Sequence, residues 1–195
     1  VQVQSRFPFY IVWLGQLCSN IGSGLSAFAL GAYVFRLTGS AAYYSLVLLA
    51  AMLPSILLKP LGGVIADRYN RRVLMMLGDA GAILGVVFII VMMQAGVREL
   101  WPVYVGAVIS SVFGAFHNPA YKASITDLLD EAFYSKGSGL VQLAEAARFV
   151  IAPMLAGVLL LFFNIIGILI IDCATFAVAV LSVLWIKKAV AMPKK

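Results

Sequence analysis

The chain has 195 residues, of which 63% are hydrophobic and 11% are charged, and its mean hydropathy is +1.03. Soluble domains are about one quarter charged, so this composition excludes a soluble enzyme and indicates an integral membrane protein. The formal net charge of +6 does not require a nucleic-acid partner. Most of the 14 Lys and Arg residues lie on one side of the predicted membrane topology, as the positive-inside rule describes.

Six segments are each long enough to cross roughly 30 Å of hydrocarbon, which takes about 20 apolar residues. They are 9–35, 42–66, 73–95, 101–121, 139–162 and 165–187. They account for most of residues 1–195, so we expect one six-helix transmembrane domain. This all-α bundle would cross the cell membrane six times, with both termini cytoplasmic. The first segment is too long for a signal peptide and lacks its cleavage site.

Small residues are interleaved along the first segment. They are Gly15, Ser19, Gly22, Ser23, Gly24, Ser26 and Gly31. In lipid, small residues let helices approach closely. Two compatible interpretations follow: this helix packs tightly, or it is a pliable helix that lines a cavity and rocks during transport.

The second segment ends in a cluster of one carboxylate and three guanidinium groups within residues 63–72. The cluster comprises Asp67, Arg68, Arg71 and Arg72, preceded by Gly63. Charges are costly in hydrocarbon, so the cluster marks the place where the chain leaves the membrane. Asn70 lies inside it, and because Asn tolerates a left-handed turn, we expect that conformation there.

The remaining segments repeat the organisation of the first three. Residues 122–138 form the longest polar stretch, and we expect them to be an amphipathic cytoplasmic loop. Units 9–95 and 101–187 each contain three hydrophobic segments, so the second unit begins on the opposite face of the membrane. Hydropathy and connection lengths therefore predict an inverted three-plus-three repeat.

Ionisable residues inside the predicted helices are functional candidates, because a charge in the bilayer costs several kcal/mol. They are Asp79, His117, Glu145, Arg148 and Asp172. Glu145 and Arg148 are three residues apart on one helix face, where they either line a cavity or form a static ion pair. Asp172 and His117 either exchange protons or are hydrogen-bonded packing residues. Asp79 is a further candidate for coupling or cavity lining.

No phosphate-binding loop, nucleophile elbow or metal-ligand spacing occurs in the sequence. We therefore expect no cofactor, no metal site and no enzymatic activity.

The pattern Gly-x-x-x-Asp-Arg-x-Asn-Arg-Arg over residues 63–72 resembles the loop between helices 2 and 3 of major facilitator superfamily transporters. The usual pattern has glycine where this chain has Asn70. Stretches 13–17, 37–40, 118–120 and 171–176 are similar to the bacterial drug and macrolide efflux and siderophore-exporter branch of that family. Members have about twelve helices in two halves, so we expect an N-terminal half whose C-terminal six-helix half is absent.

The resemblance implies export of an amphipathic or lipophilic, drug-like small molecule by alternating access, with proton antiport as the energy source. A facilitator or lipid-flipping carrier on the same fold is one alternative, and a non-transporting six-helix scaffold is another. The implied partners are a small-molecule substrate, protons, the lipid bilayer, and either the missing half or a homodimer mate.

The resemblance also implies a conformational latch at the loop between helices 2 and 3. Asp67 would face a helix N-terminus in the missing half, where the helix dipole favours an anion. Arg71 or Arg72 would pair with Asp127 after helix 4 and stabilise one access state. The alternative is a plain positive-inside anchor.

The fifth helix is similar to an antiporter pattern close to Gly-x-x-x-Gly-Pro-x-x-Gly-Gly. The matching residues are Arg148, Ala152, Pro153, Ala156 and Gly157. Two alanines preserve the small size of the glycines that they replace, whereas Arg148 does not. This resemblance favours efflux by antiport.

Overall fold

The structure is a computed structural model that describes residues 7–129 and 131–189, without the side chains of 125–128, 131–132 and 186–189. Within this part of the chain, every regular element is an α-helix. The helices are α1 Phe7–Thr38, α2 Ala41–Arg68, α3 Arg71–Gln94, α4 Trp101–Leu128, α5 Glu131–Leu159 and α6 Ile165–Ala189. The predicted all-α bundle of six helices is confirmed.

Among the described residues, five of these helices contain a stretch that is long and apolar enough to cross a membrane. The stretches are Phe7–Thr38, Ala41–Arg68, Arg71–Gln94, Phe133–Leu159 and Ile165–Trp185. The exception is α4, which carries Ser110, Ser111, His117 and Asn118 in its central part. These polar side chains line the interior cavity described below, so α4 is less apolar because it faces the inside of the bundle.

The prediction that residues 122–138 form a loop is wrong. Helix α4 continues to Leu128 and α5 begins at Glu131, so almost all of this stretch is helical. Hydropathy identifies only the residues that lie within the hydrocarbon. A helix that leaves the hydrocarbon keeps its backbone hydrogen bonds, so it can continue into water. The other predicted helix ends differ from the observed ones by only a few residues, as helix termini commonly do.

Two pairs of helices pack in antiparallel fashion through small residues. Along α3 and α4, Gly78 lies against His117, and Gly85 lies against Ser110. Along α1 and α6, Gly15 lies against Ser182, and Gly22 lies against Thr175. A glycine at each of these points lets the two backbones approach closely, which is how helices associate when lipid surrounds them.

Two further pairs are parallel. The indole Nε1 of Trp13 in α1 donates to the carbonyl oxygen of Leu140 in α5 at 2.7 Å, and the later Gly24 packs on Ala152. The amide of Ser55 in α2 donates to Oγ of Ser111 in α4 at 3.0 Å, and the later Gly62 packs on Ala115. In both pairs, contacts advance along the two helices in the same direction.

These pairings obey one symmetry. Exchanging α1, α2 and α3 for α4, α5 and α6 turns the antiparallel α1–α6 pair into α4–α3, and the parallel α1–α5 pair into α4–α2. Helices α3 and α6 also contact each other, as do α1 and α4. The packing therefore has the three-plus-three organisation that hydropathy predicted, with the first helix of each unit packed against the other unit.

The connections on one side of the bundle are short. Gly39 follows α1 with a φ of 66°, and Gly96 follows α3 with a φ of 80°, a conformation that glycine adopts without steric cost. Asn164 precedes α6, and its side-chain oxygen accepts a hydrogen bond from the amide of Gly167 at 2.8 Å. These turns hold α1 beside α2 and α3 beside α4, and the Asn164 turn joins α5 to α6.

The expected left-handed turn at Asn70 is wrong. Its φ is −64° and its ψ is 113°, and no described residue other than glycine has a positive φ. Instead Oδ1 of Asn70 accepts a hydrogen bond from the amide of Arg72 at 3.1 Å, so Asn70 is the N-cap of α3. Glycine is also tolerated at N-caps, which gives a physical reason why either residue suits this position.

We expect Asn70→Ala to lower the free energy of unfolding by about 1 kcal/mol, the usual cost of losing an N-cap side chain. Asn70→Gly should cost only a few tenths of a kcal/mol, and Asn70→Ser should be close to wild type. Thermal unfolding of the purified protein in detergent measures the order of the three variants. Equal stability of the alanine and serine variants would contradict a capping role.

Candidate functional site

A cavity of about 120 Å³ lies within the bundle and is lined by side chains from all six helices. Three of the ionisable candidates from the sequence, Asp79, His117 and Asp172, are buried in its wall, and Arg148 also lines it. The rest of the lining combines serine and amide side chains with small apolar residues. An interior of this kind, in a membrane protein, is typical of a pathway for a polar or charged species.

Helix α1 supplies one polar face of the cavity. Its lining residues recur every three or four positions and are Gln16, Ser19, Asn20, Ser23, Ser26, Ala27 and Leu30. On its other sides, Gly22 and Gly24 allow α6 and α5 to approach. The glycines therefore serve packing and the serines line the cavity, whereas rocking of this helix during transport stays a prediction.

Asp79 of α3 and His117 of α4 meet in the cavity wall. The distance from Oδ1 of Asp79 to Nε2 of His117 is 3.4 Å, which is long for a hydrogen bond. Oδ2 of Asp79 has no hydrogen-bond partner among the described residues, and neither does Nε2 of the neighbouring Gln16. About one helical turn after His117 on α4, the ring of Tyr121 stacks on the imidazole at a centroid distance of 6.1 Å.

Asp172 of α6 is 1% exposed and lies where α6 packs on α1. Its Oδ1 atom has no hydrogen-bond partner among the described residues, and the same holds for Oγ of Ser26 on the facing helix. Arg148 of α5 lines the same cavity and acts on the Asp172 carboxylate through space. The site thus contains two buried carboxylates, each with a basic side chain nearby.

The predicted pairing of Glu145 with Arg148 is not found. The Glu145 carboxylate contacts Nζ of Lys122 in α4, with Oε1 at 2.9 Å and Oε2 at 3.1 Å. Although the two residues are three apart on α5, Arg148 faces the cavity while Glu145 faces α4. Glu145 does not line the cavity and instead ties α4 to α5, which corrects its assignment as a cavity residue.

The antiporter-like stretch of α5 is a packing surface on α1. Ala152 and Ala156 are fully buried there, and a Cβ atom at Gly24 would lie 2.5 Å from Cβ of Ala152. Pro153 lies within the helix, and Gly157 has open space beside it. The alanines therefore occupy positions where only a small side chain fits.

The charged cluster between α2 and α3 lies at one end of the bundle. Asp67 and Arg68 are exposed, and Gly63 has no described atom within 4 Å of the place where a Cβ would lie. Nη1 of Arg71 donates to the carbonyl oxygen of Ala123 in α4 at 2.7 Å. The Asp127 side chain lies outside the described residues, so its pairing with Arg71 or Arg72 stays a prediction.

Sequence reasoning identified the charged residues of the cavity and the serines of α1 but missed its other neutral polar residues. Gln16 and Asn20 of α1 belong to these, as do Ser55, Ser110 and Ser111 of α2 and α4. The signal for α1 was present, since residues 16, 20, 23 and 27 lie on one helical face. For α2 and α4, the serines are isolated among apolar residues, and only the packing of the two helices brings them together.

Comparison with known proteins places this geometry in context. Residues 12–195 match the family model described as the Major Facilitator Superfamily (MFS). Macrolide efflux protein A of Streptococcus pyogenes is 30% identical over 185 residues, which are 91% of this chain and 44% of that protein. The MFS-type transporter YfiS of Bacillus subtilis is 29% identical over 162 residues, 83% of this chain and 38% of that protein.

The multidrug efflux pump Tap of Mycobacterium tuberculosis is 26% identical over 187 residues, 92% of this chain and 44% of that protein. The chain thus spans less than half the length of these relatives. The family model matches nearly its whole length, and the six-helix bundle is consistent with half of a transporter of that family. The chain belongs to the major facilitator superfamily of multi-pass membrane transporters.

Proposed function

We propose that this chain is the N-terminal half of an exporter that carries amphipathic or lipophilic small molecules across the cell membrane by alternating access. The observation that supports this most is the cavity with its two buried, incompletely paired carboxylates, Asp79 and Asp172. A scaffold protein gains nothing from such groups, because an uncompensated polar atom inside a membrane protein is costly. The efflux names of the relatives favour export over uptake.

The proposed substrate site is completed by a second six-helix half. The cavity of about 120 Å³ is smaller than the roughly 300–1,000 Å³ that encloses a drug-sized ligand. Helices α2 and α5 present continuous apolar surfaces, with Leu57 66% exposed and Met154 71% exposed. Relatives about twice as long support a second half of the same native protein as the partner, and a homodimer mate is the alternative.

Proton antiport is the proposed energy source. Asp79, His117 and Asp172 are side chains that can gain or lose a proton, and all three line the cavity. In this scheme, the substrate and protons occupy the cavity alternately, so that inward proton flow drives outward substrate flow.

The proposed orientation places the loop between α2 and α3 in the cytoplasm, together with both termini. The concentration of arginine in this loop supports it through the positive-inside rule. In intact cells, a membrane-impermeant thiol reagent should label a Val97→Cys variant and leave a Tyr69→Cys variant unlabelled, both made in a background with Cys18 and Cys173 replaced by serine. The reverse pattern would refute the orientation and, with it, the latch proposed for Asp67, Arg71 and Asp127.

The function is tested with the full-length native protein in bacteria that lack their own efflux pumps. Cells are loaded with ethidium or a radiolabelled macrolide and then energised. We expect wild-type cells to retain several-fold less of one of these compounds than cells carrying the Asp79→Asn/Asp172→Asn double variant. A protonophore should abolish the difference.

Three outcomes distinguish the alternatives. If the loaded compound equilibrates across the membrane faster than in control cells, and the protonophore does not change that rate, the protein is a facilitator. Unchanged fluxes of both compounds, with a fluorescent lipid redistributed between leaflets, identify a lipid-flipping carrier. Unchanged behaviour of all three probes, at a confirmed level of protein in the membrane, argues for a non-transporting scaffold and against the proposal.

A further inference from the structure

Asp79 and Asp172 occupy corresponding places in the two three-helix units. Asp79 lies about two turns after the start of α3, the third helix of the first unit, and Asp172 about two turns after the start of α6, the third helix of the second. At a rise of 1.5 Å per residue, each of these residues lies roughly 10–12 Å along the axis from the N-terminus of its helix.

The two helices start at opposite faces of the membrane, because three crossings separate them. The two acids are therefore at similar depths below opposite faces. The two helices share an apolar cluster, to which α3 contributes Ala82, Val86 and Ile89 and α6 contributes Leu169 and Phe176. Among the described residues, neither acid is one of the groups that act on the other, so the two carboxylates do not behave as one shared pair.

Their surroundings also correspond. Asp79 is 3% exposed and Asp172 is 1% exposed, both line the cavity, and each has one carboxylate oxygen without a partner among the described residues. Each packs at the contact of its helix with the first helix of the other unit: Gly78, next to Asp79, lies against His117 of α4, and Asp172 lies against Gly22 of α1.

The charged and polar groups around each acid differ. Asp79 faces His117 from α4 and Gln16 from α1. Asp172 faces Arg148 from α5 and Ser26 from α1, beside Cys173 of its own helix. Each acid therefore has its own basic neighbour and its own polar neighbour from α1, which makes two separate sites rather than one.

We propose that Asp79 and Asp172 are two independent proton-binding sites, one in each three-helix unit, and that one transport cycle carries two protons. Each site binds a proton on its free carboxylate oxygen and releases it to the cavity, with no other bond made or broken. This inference rests on the proposed antiport for the stoichiometry. The existence of two separate sites does not depend on transport.

The two sites are counted by infrared difference spectroscopy of the purified full-length protein in lipid, titrated in pH. We expect two protonated-carboxyl bands from the cavity. The Asp79→Asn variant should lose one band and keep the other, Asp172→Asn should do the converse, and the double variant should lose both. Glu99→Gln, which changes an exposed carboxylate in the connection between α3 and α4, should keep both bands.

A single cavity band in wild type, or the loss of both bands in either single variant, would overturn the proposal. Bands that move with sodium concentration at constant pH would overturn it as well, since the sites would then bind a metal cation. Because this measurement contains no substrate, its failure is separate from a failure of the proposed export.

The stoichiometry is measured in liposomes as protons taken up per ethidium molecule released. The expected value falls from two in wild type to one in either single variant, with the Glu99→Gln control unchanged. If wild type moves ethidium without protons, the antiport fails even where two carboxyl bands are present. A value of one in wild type, with proton-coupled export intact, overturns only the two-proton inference.

Discussion

Replacing Arg148 with leucine should reduce export at least tenfold, which corresponds to a loss of about 1.4 kcal/mol. Arg148 is the cationic side chain that shares the cavity with Asp172. Without it, the Asp172 carboxylate loses the positive charge that acts on it among the described residues, and an uncompensated charge in the membrane interior costs several kcal/mol. Arg148→Lys, which retains the charge, should keep much of the activity.

The measurement is the initial rate of ethidium efflux at equal amounts of protein in the membrane. Lys59→Met provides the matched control, because Lys59 is also a cation on a helix but is exposed and does not line the cavity. That variant should export like wild type. Export by Arg148→Leu at the wild-type rate would show that the guanidinium has only a packing role.

Replacing Gly24 with alanine should destabilise the bundle by about 1–3 kcal/mol, the usual cost of overpacking a tight contact. The added Cβ would lie 2.5 Å from both the Ala152 Cβ and the Arg148 carbonyl oxygen, and a carbonyl in the middle of α5 cannot move aside alone. Helices α1 and α5 must then separate. We expect a lower unfolding temperature in detergent and reduced export, because Arg148 moves with α5.

Gly157→Ala is the control for this change. It adds the same methyl group to a helical glycine, but nothing described lies within 4 Å of it. Alanine is the better helix former by about 1 kcal/mol, so this variant should be as stable as wild type or more stable. If Gly24→Ala were equally stable, the close contact of α1 with α5 would be refuted.

The sequence was sufficient to predict the elements of this fold and the charged members of its site. Each helix is surrounded by lipid or by other apolar helices, so length and hydropathy identify the segments directly. Ionisable residues stand out for the same reason, since Asp79 and Asp172 are costly anywhere except at a site that uses them.

The features that the sequence did not predict depend on which helices are neighbours and on where each helix begins and ends. The pairing of Glu145 with Lys122 rather than Arg148 requires knowing that α5 turns one face to α4 and another to the cavity. The extension of α4 to Leu128 lies beyond the hydrocarbon, where hydropathy carries no information. At Asn70, the choice between a left-handed turn and an N-cap depends on where α3 begins, and helix starts are known from sequence only to within a few residues.

The interlocked packing has a consequence for how the protein is made. Helix α1 finds its partners in α5 and α6, and α4 finds its partners in α2 and α3. During synthesis, the first three helices therefore enter the membrane before α1 has its main contacts. A nascent chain halted after α3 would leave the glycines of α1 facing lipid, so stable assembly of the bundle waits until α6 has left the ribosome.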